Sequence, residues 1–69
     1  MSNNLSSLTL SCIGAGRLGK TLCHLFSQHL HIGQIINRSE YSAKSAVDFI
    51  GAGQAQTVPV EQADIWLIA

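Results

Sequence analysis

The most informative stretch of the chain is Leu8-Thr-Leu-Ser-Cys-Ile-Gly-Ala-Gly-Arg-Leu-Gly-Lys-Thr21. An apolar run ends at Gly14, and three glycines follow with the spacing G-x-G-x-x-G. Beyond Gly19 the apolar residues recur with the period of a helix. A strand that enters a glycine turn and opens a helix presents the helix N-terminus to a phosphate group. The stretch therefore predicts a strand, an anion-binding turn and a helix.

Each of the three glycines has its own reason to lack a side chain. Gly14 allows a tight turn, Gly16 lets backbone amides approach a pyrophosphate, and Gly19 lets the helix pack closely on the sheet. The unpaired amides of the first helical turn and the helix dipole both favour an anion. We therefore expect the turn to bind a diphosphate through Gly14, Ala15, Gly16, Arg17, Leu18 and Gly19.

The same residues also fit a second phosphate-binding motif. Residues 14–21 read G-x-x-x-x-G-K-T, the loop of nucleotide triphosphatases, in which Lys20 would reach the outer phosphates and Thr21 would hold magnesium. Two features favour the dinucleotide motif. Leu18 falls in helical register with later leucines, which indicates a helix already under way at position 17, and Asp64 precedes its strand instead of following it.

Length and composition predict one small α/β domain with no net charge. Of 69 residues, 46% are apolar and only 12% are charged, which is typical of a buried α/β core. Four basic and four acidic residues cancel, so no electrostatic attraction to nucleic acid or to an anionic membrane is expected. Residues 1–7 read as a disordered polar leader and not as a signal peptide, which predicts a cytoplasmic protein.

Periodicity places the remaining elements along the chain. The first strand covers residues 8–13, and the first helix should run from 17 to 30, with Gly33 as a stop signal beyond it. Its predicted buried stripe consists of Leu18, Leu22, Leu25, Phe26 and His29. A second strand over 34–37, a helix over 40–50 capped by Ser39, a weak strand over 54–58 and a buried strand over 64–69 follow.

The resulting order, βαβαββ, predicts a Rossmann-type half-domain in residues 8–69. Strands that alternate with helices form a parallel sheet with right-handed crossovers, and the expected strand order is 3-2-1-4. A complete dinucleotide-binding domain has two such halves, so the chain is expected to be a truncated one. Its apolar fourth strand would then pair with another copy or with a missing C-terminal half.

The end of the second strand favours NADP over NAD as the cofactor. Dinucleotide folds that bind NAD carry an acidic residue about 20 positions beyond the glycines, where it contacts the ribose 2′-hydroxyl. This chain has Asn37, Arg38 and Ser39 there and no carboxylate at the strand end. A guanidinium can pair with a 2′-phosphate, and the serine can donate to it.

Other reactive side chains form no recognisable catalytic or metal site. His24 and His29 are five residues apart and face different sides of a helix, and the four acids are scattered. Cys12 and Cys23 are interpreted as reduced, buried small residues. We therefore expect neither a catalytic residue nor a metal ligand in this chain.

Three segments together resemble a known family. They are Ile13-Gly-Ala-Gly-Arg-Leu-Gly19, Ile36-Asn-Arg-Ser39 and Ala63-Asp-Ile-Trp-Leu-Ile-Ala69, and they are similar to the N-terminal domain of the 6-phosphogluconate-dehydrogenase-like superfamily. Within it the chain resembles NADP-dependent oxidoreductases related to pyrroline-5-carboxylate reductase and ketopantoate reductase.

The resemblance implies a function as well as a fold. It implies that the turn holds the pyrophosphate and that Asn37, Arg38 and Ser39 belong to the cofactor site, with Arg38 and Ser39 on the 2′-phosphate. In that superfamily a proline-containing loop and a helical substrate domain normally follow the fourth strand, and this chain is expected to lack both. The expected function is the NADP(H)-binding portion of an oxidoreductase that transfers a hydride. The alternative is a module that binds NADP(H) without catalysis of its own.

Overall fold

The computed structural model describes residues 8–69. Its elements are, in chain order, β1 (Thr9–Ile13), α1 (Arg17–Phe26), β2 (His31–Ile36), α2 (Glu40–Ile50), β3 (Gln54–Gln56) and β4 (Ile65–Ile68). The predicted order βαβαββ is confirmed, and the predicted leader lies outside the described residues. The helices have 10 and 11 residues, and neither has the length and apolar content that crossing a bilayer requires.

The four strands form one parallel sheet in the order β3-β2-β1-β4, as predicted. Because the strands are parallel, their carboxyl ends meet at one edge of the sheet. Gly14 follows β1 at this edge and Asn37 follows β2. The fold therefore brings the glycine turn and the end of the second strand together.

The apolar core lies between the sheet and the two helices. Small residues of the helices pack against aliphatic residues of the central strands, so the helices approach the sheet closely. The buried cluster consists of Leu10, Cys12, Ala15, Cys23, Ile32, Ile35, Ala46 and Ile50.

The predicted buried stripe of α1 is wrong. Leu18 is 67% exposed and Leu25 is 55% exposed, whereas Gly19 and Cys23 are the buried residues of this helix. A Cβ atom at Gly19 would lie 3.4 Å from the Cys12 sulfur, so the helix lies too close to β1 for a leucine on that side. The large apolar residues face outward because the small ones occupy the contact.

The boundary between α1 and β2 also differs from the prediction. Helix α1 ends at Phe26 instead of residue 30, and Gly33 lies inside β2 instead of marking a helix stop. The pairing of β1 with β2 shifts register between Leu10 and Cys12, which is a β-bulge. A Cβ at Gly33 would lie 2.8 Å from Ser11 Oγ, so the bulge needs a glycine at this strand position.

The predictions for the last two strands were too long, and β4 is less buried than expected. Strand β4 pairs with β1 and has no second neighbour among residues 8–69, so Ile65 and Ile68 are exposed. The Asp64 carboxylate accepts a hydrogen bond from the Thr9 amide at 2.8 Å and fixes the start of β4 to the start of β1. This contact lies at the amino edge of the sheet, opposite the glycine turn.

Candidate functional site

The turn between β1 and α1 has a backbone that requires glycine at its first position. Gly14 has φ +79°, in the left-handed region, and a Cβ there would lie 2.7 Å from the Ala69 carbonyl oxygen. Its amide donates to Ile36 O at 2.8 Å, and the Gly16 amide donates to Gly14 O at 2.7 Å. The predicted bend from strand to helix is confirmed.

The N-terminus of α1 is open. Its N-cap is Gly16, which offers no side chain to the first-turn amides, and the helical bonding starts with the Lys20 amide donating to Gly16 O at 2.9 Å. The amides of Arg17, Leu18 and Gly19 precede that bond and have no acceptor within the helix. A Cβ built at Gly16 meets no atom within 4 Å. Partial positive charge and free space coincide here.

Asn37 ties the end of β2 to the turn. Its Oδ1 accepts from the Ala15 amide at 2.6 Å, and its Nδ2 donates to Ala15 O at 3.4 Å. The sequence places Asn37 among the cofactor-binding residues without a defined role. The structure shows that its side chain holds the turn in place, a contact that spacing alone does not reveal.

Arg38 and Gly14 share a cleft of about 300 Å³ at the carboxyl edge of the sheet. We call it the edge cleft; its lining is Ile13, Gly14, Ile36, Asn37, Arg38 and Thr57. The structure therefore brings Arg38 to the turn, as the predicted site requires. Thr57 was missed, because it follows a three-residue strand whose end the sequence placed too late.

Ser39 caps α2, as predicted. Its Oγ accepts from the Ser42 amide at 3.1 Å and donates to Ser42 Oγ at 3.0 Å. The Ser42 hydroxyl in turn donates to Ser39 O at 3.1 Å. The two helix N-termini thus differ, since α2 carries a side-chain cap and α1 has none.

A second cleft, of about 260 Å³, opens between the first turns of the two helices. We call it the α1–α2 cleft; its lining is Ala15, Gly16, Arg17, Lys20, Asn37, Tyr41, Ser42, Ser45 and Ala46. Asn37 also lines the edge cleft, so the two clefts adjoin. No role was predicted for Tyr41, Ser42 or Ser45, although their spacing places them on one side of α2.

Positive charge is concentrated around these clefts. The chain has four lysines and arginines, and three of them, Arg17, Lys20 and Arg38, line one cleft or the other. Neither lining contains an aspartate or a glutamate. An uncompensated group of cations beside an open helix N-terminus favours an anionic ligand.

Lys20 and Thr21 make local contacts within and between the helices. Lys20 Nζ lies 4.9 Å from the centre of the Phe49 ring, a cation–π contact toward α2. The Thr21 hydroxyl donates to Arg17 O at 2.8 Å, one helical turn back. The Thr21 hydroxyl is thus bound to its own helix, whereas Lys20 also lines the α1–α2 cleft beside Gly16.

The two thiols are free and buried beneath the turn. A hydrogen bond from Cys23 lowers the pKa of Cys12, against the opposing effect of burial. The same hydrogen bond, together with burial, raises the pKa of Cys23. Within residues 8–69 no three His, Cys, Asp or Glu side chains lie close enough together to hold a metal ion.

Comparisons with protein-family models, with curated proteins and with solved structures return no match. The functional interpretation therefore depends on the geometry of the turn and of the two clefts.

Proposed function

We propose that this chain binds NADP(H) and forms the cofactor-binding part of an oxidoreductase that transfers a hydride. The observation that carries the proposal is the open N-terminus of α1, which has no side-chain cap and has open space beside its N-cap residue Gly16. A pyrophosphate is the group that such a turn accepts at the carboxyl edge of a parallel sheet. The turn, Gly14 to Gly19, would hold it.

The preference for NADP is proposed from the charges of the edge cleft. Arg38 lines this cleft next to the turn. The lining contains no carboxylate that could accept a hydrogen bond from a ribose 2′-hydroxyl. A guanidinium pairs with a phosphate through two parallel hydrogen bonds. Arg38 would therefore contact the 2′-phosphate, with Ser39 beside it, and the resemblance to the 6-phosphogluconate-dehydrogenase-like superfamily supports the same assignment.

The chain's own residues would bind and orient the cofactor. When bound, the nicotinamide supplies the hydride chemistry. The linings of both clefts contain no His, Cys, Asp or Glu that could move a proton. A substrate site would have to come from other residues, and a module that binds NADP(H) without catalysis is the alternative that shares all of these observations.

The triphosphatase alternative is disfavoured by three positions. Helix α1 starts at Arg17, before the Gly-Lys pair, instead of at that pair. The Thr21 hydroxyl donates to its own helix, where a triphosphatase would need it on magnesium. Asp64, which lies ahead of an apolar strand, is bound to Thr9 at the opposite edge of the sheet.

Titration of the chain with NADPH, followed by nicotinamide fluorescence, tests the proposal. A Gly16→Val variant should bind at least about tenfold more weakly, because the side chain fills the space at the helix N-terminus and shields charge-assisted hydrogen bonds. Thr21→Val, on the exposed side of the same helix, is the matched control and should bind like the wild type. Equal binding by Gly16→Val would refute the site, and magnesium-dependent ATP binding lost in Thr21→Val would favour the triphosphatase.

Two further measurements address cofactor preference and catalysis. Arg38→Ala should weaken NADP⁺ binding by about tenfold and leave NAD⁺ binding almost unchanged, since it removes one charged contact to the 2′-phosphate. Oxidation of NADPH by imine or ketone substrates in the presence of this protein would support the oxidoreductase. Tight NADPH binding without turnover across such a panel would favour the non-catalytic module.

A further inference from the structure

We propose that the α1–α2 cleft is the subsite for the 2′-phosphate, and that Lys20, Tyr41 and Ser45 are specificity residues in addition to Arg38. The inference rests on the proposed function and deepens it. It assigns the cleft to one chemical class, a phosphate monoester on the adenosine ribose.

The lining of the cleft has the chemistry of a phosphate site. It contains a guanidinium (Arg17), an ammonium (Lys20) and three hydroxyl groups, with no carboxylate. A phosphate monoester carries close to two negative charges near pH 7, which two cations can balance. An uncharged ribose hydroxyl would leave both cations without a counterion. The lining therefore fits NADP better than NAD.

The size and position of the cleft agree with this ligand. Its volume, about 260 Å³, exceeds that of one water, about 30 Å³, several times over, so a phosphate group and its first waters fit. It extends from Gly16 and Asn37 down to Ser45 and Ala46, on the α2 side of the turn. Because Asn37 lines both clefts, they meet at this residue, with Arg38 in the lining of the edge cleft and Lys20 in the lining of the α1–α2 cleft.

Lys20 is held in position before any ligand binds. Its Nζ lies 4.9 Å from the Phe49 ring centre, and the His24 ring packs on the same ring with centroids 5.7 Å apart. A side chain that is already ordered loses less entropy when it contacts an anion. Lys20 thus lines the cleft with an ammonium group that already has a contact on the Phe49 ring.

The hydroxyl groups are not equivalent. Ser42 Oγ donates to Ser39 O at 3.1 Å and belongs to the helix cap, so its proton is committed. Tyr41 and Ser45 remain as hydroxyl donors in the lining. We therefore assign recognition of the phosphate to Lys20 and Arg17, with hydrogen bonds from Tyr41 and Ser45.

Dissociation constants for NADP⁺, NAD⁺ and 2′-AMP, measured by calorimetry on the full chain, test the assignment. Lys20→Met keeps the packing on Phe49 and should weaken NADP⁺ and 2′-AMP about tenfold, with less than about a twofold change for NAD⁺. Ser45→Ala should weaken the same two ligands about threefold, as expected for one neutral donor. The matched control is Lys44→Met, an exposed cation next to Ser45 that lines neither cleft, and it should bind all ligands like the wild type.

The outcomes separate this inference from the proposed function. If the wild type prefers NADP⁺ and both cleft variants keep that preference, the subsite assignment is wrong and the proposed function stands. If Lys20→Met weakens NAD⁺ and NADP⁺ equally, Lys20 serves the pyrophosphate and the assignment is also wrong. If the wild type binds no NADP⁺, the proposed function fails and this inference fails with it.

Discussion

Gly14 and Gly16, two positions apart in the turn, lack side chains for opposite reasons. Gly14 has a left-handed backbone and a neighbouring carbonyl oxygen where its Cβ would lie, so its constraint is structural. Gly16 has φ −77°, which any residue can adopt, and its Cβ would meet open space. No neighbour among the described residues therefore requires glycine at position 16, whereas the proposed pyrophosphate would.

This contrast predicts that stability and binding respond separately to alanine. Gly14→Ala should lower the free energy of unfolding by about 2 kcal/mol, from the left-handed conformation and the close approach to Ala69 O. Gly16→Ala should change it by less than about 0.5 kcal/mol. Urea unfolding followed by circular dichroism measures both variants. A large loss of stability in Gly16→Ala would show that a side chain at position 16 collides with neighbouring atoms.

The buried thiol pair predicts a pH dependence of stability at alkaline pH. The pKa of Cys23 is raised in the folded chain, from an ordinary value of 9.0, by the Cys12 hydrogen bond and by burial. Its contribution is fully present below pH 9, and it is lost at higher pH because the unfolded chain releases a proton that the folded chain retains. The lowered pKa of Cys12 has the opposite sign, and its gain ends only about one unit above the ordinary value of 9.0, once the unfolded chain has also released that proton, so it offsets the Cys23 slope up to about pH 10.

The free energy of unfolding should therefore fall by up to about 1.4 kcal/mol per pH unit above about pH 10. Urea unfolding at several pH values measures the slope. The control is a variant with Cys12→Ala and Cys23→Ala together, since the single Cys23 change would leave Cys12 as a lone buried thiol. Equal slopes in the two proteins would contradict the prediction.

Among the elements, β2 contains a glycine, Gly33, inside the strand, where a β-bulge on β1 and β2 accommodates it. Gly33 lies against Ser11, and Ser11 Oγ accepts from the Gln34 amide at 3.0 Å. That amide would otherwise lack its ladder partner, because the register shifts at this point. The serine and the glycine thus form one unit across two strands.

We predict that substitutions in this unit are not additive. Gly33→Ala should push Ser11 Oγ off the Gln34 amide, and Ser11→Ala should remove the acceptor, at a cost of about 1–3 kcal/mol each for an unsatisfied buried amide. The double variant should lose less unfolding free energy than the two single variants added together, by at least about 1 kcal/mol, because the same hydrogen bond is lost only once. Chemical unfolding of the four proteins of the cycle measures the coupling. Additive losses would show that the two residues act independently.

The elements differ in how far the sequence predicts them. Helix α2 follows its pattern from the Ser39 cap to a glycine in the left-handed conformation at Gly51, and its limits were predicted correctly. Helix α1 contradicts its pattern, because the spacing of large apolar residues says nothing of how near the sheet lies. The 3.4 Å approach of a Gly19 Cβ to the Cys12 sulfur is a tertiary fact, and it decides which side is buried.

The candidate site also has parts that the sequence predicts and parts that it does not. The glycine turn and the place of Arg38 follow from motif and topology, since parallel strands bring their carboxyl ends together. The α1–α2 cleft does not, because it depends on the distance between two helices that are separated by a strand. Asn37 lies between these cases, as its position was predicted and its hydrogen bonds to Ala15 were not.

In the molecule as a whole, large apolar side chains are exposed on the edge strand β4 and on helix α1. Ile68 is 73% exposed on β4, and Leu18 and Leu25 are exposed on α1. An apolar edge strand that lacks a second neighbour tends to pair with another chain. We therefore expect residues 8–69 by themselves to associate with a second copy or with a further segment of polypeptide.

Sedimentation velocity over a range of concentrations tests this expectation. The wild type should show a rising mean mass, and Ile68→Lys should shift the association to at least about tenfold higher concentration, because burying an unpaired lysine is unfavourable. Tyr41→Lys, at an exposed position on α2 away from β4, is the control and should associate like the wild type. Equal association of Ile68→Lys and the wild type would place the contact elsewhere.

The central place of β1 also has a consequence for biosynthesis. Its first residue, Thr9, is joined to Asp64 across 55 positions of chain, whereas β2 follows within one helix. Polypeptides emerge from the ribosome in order, so β1 gains its β2 neighbour long before its β4 neighbour exists. During that interval a nascent chain exposes one unpaired flank of its central strand to chaperones or to other nascent chains. Slow translation of the segment between α2 and β4 would lengthen this interval.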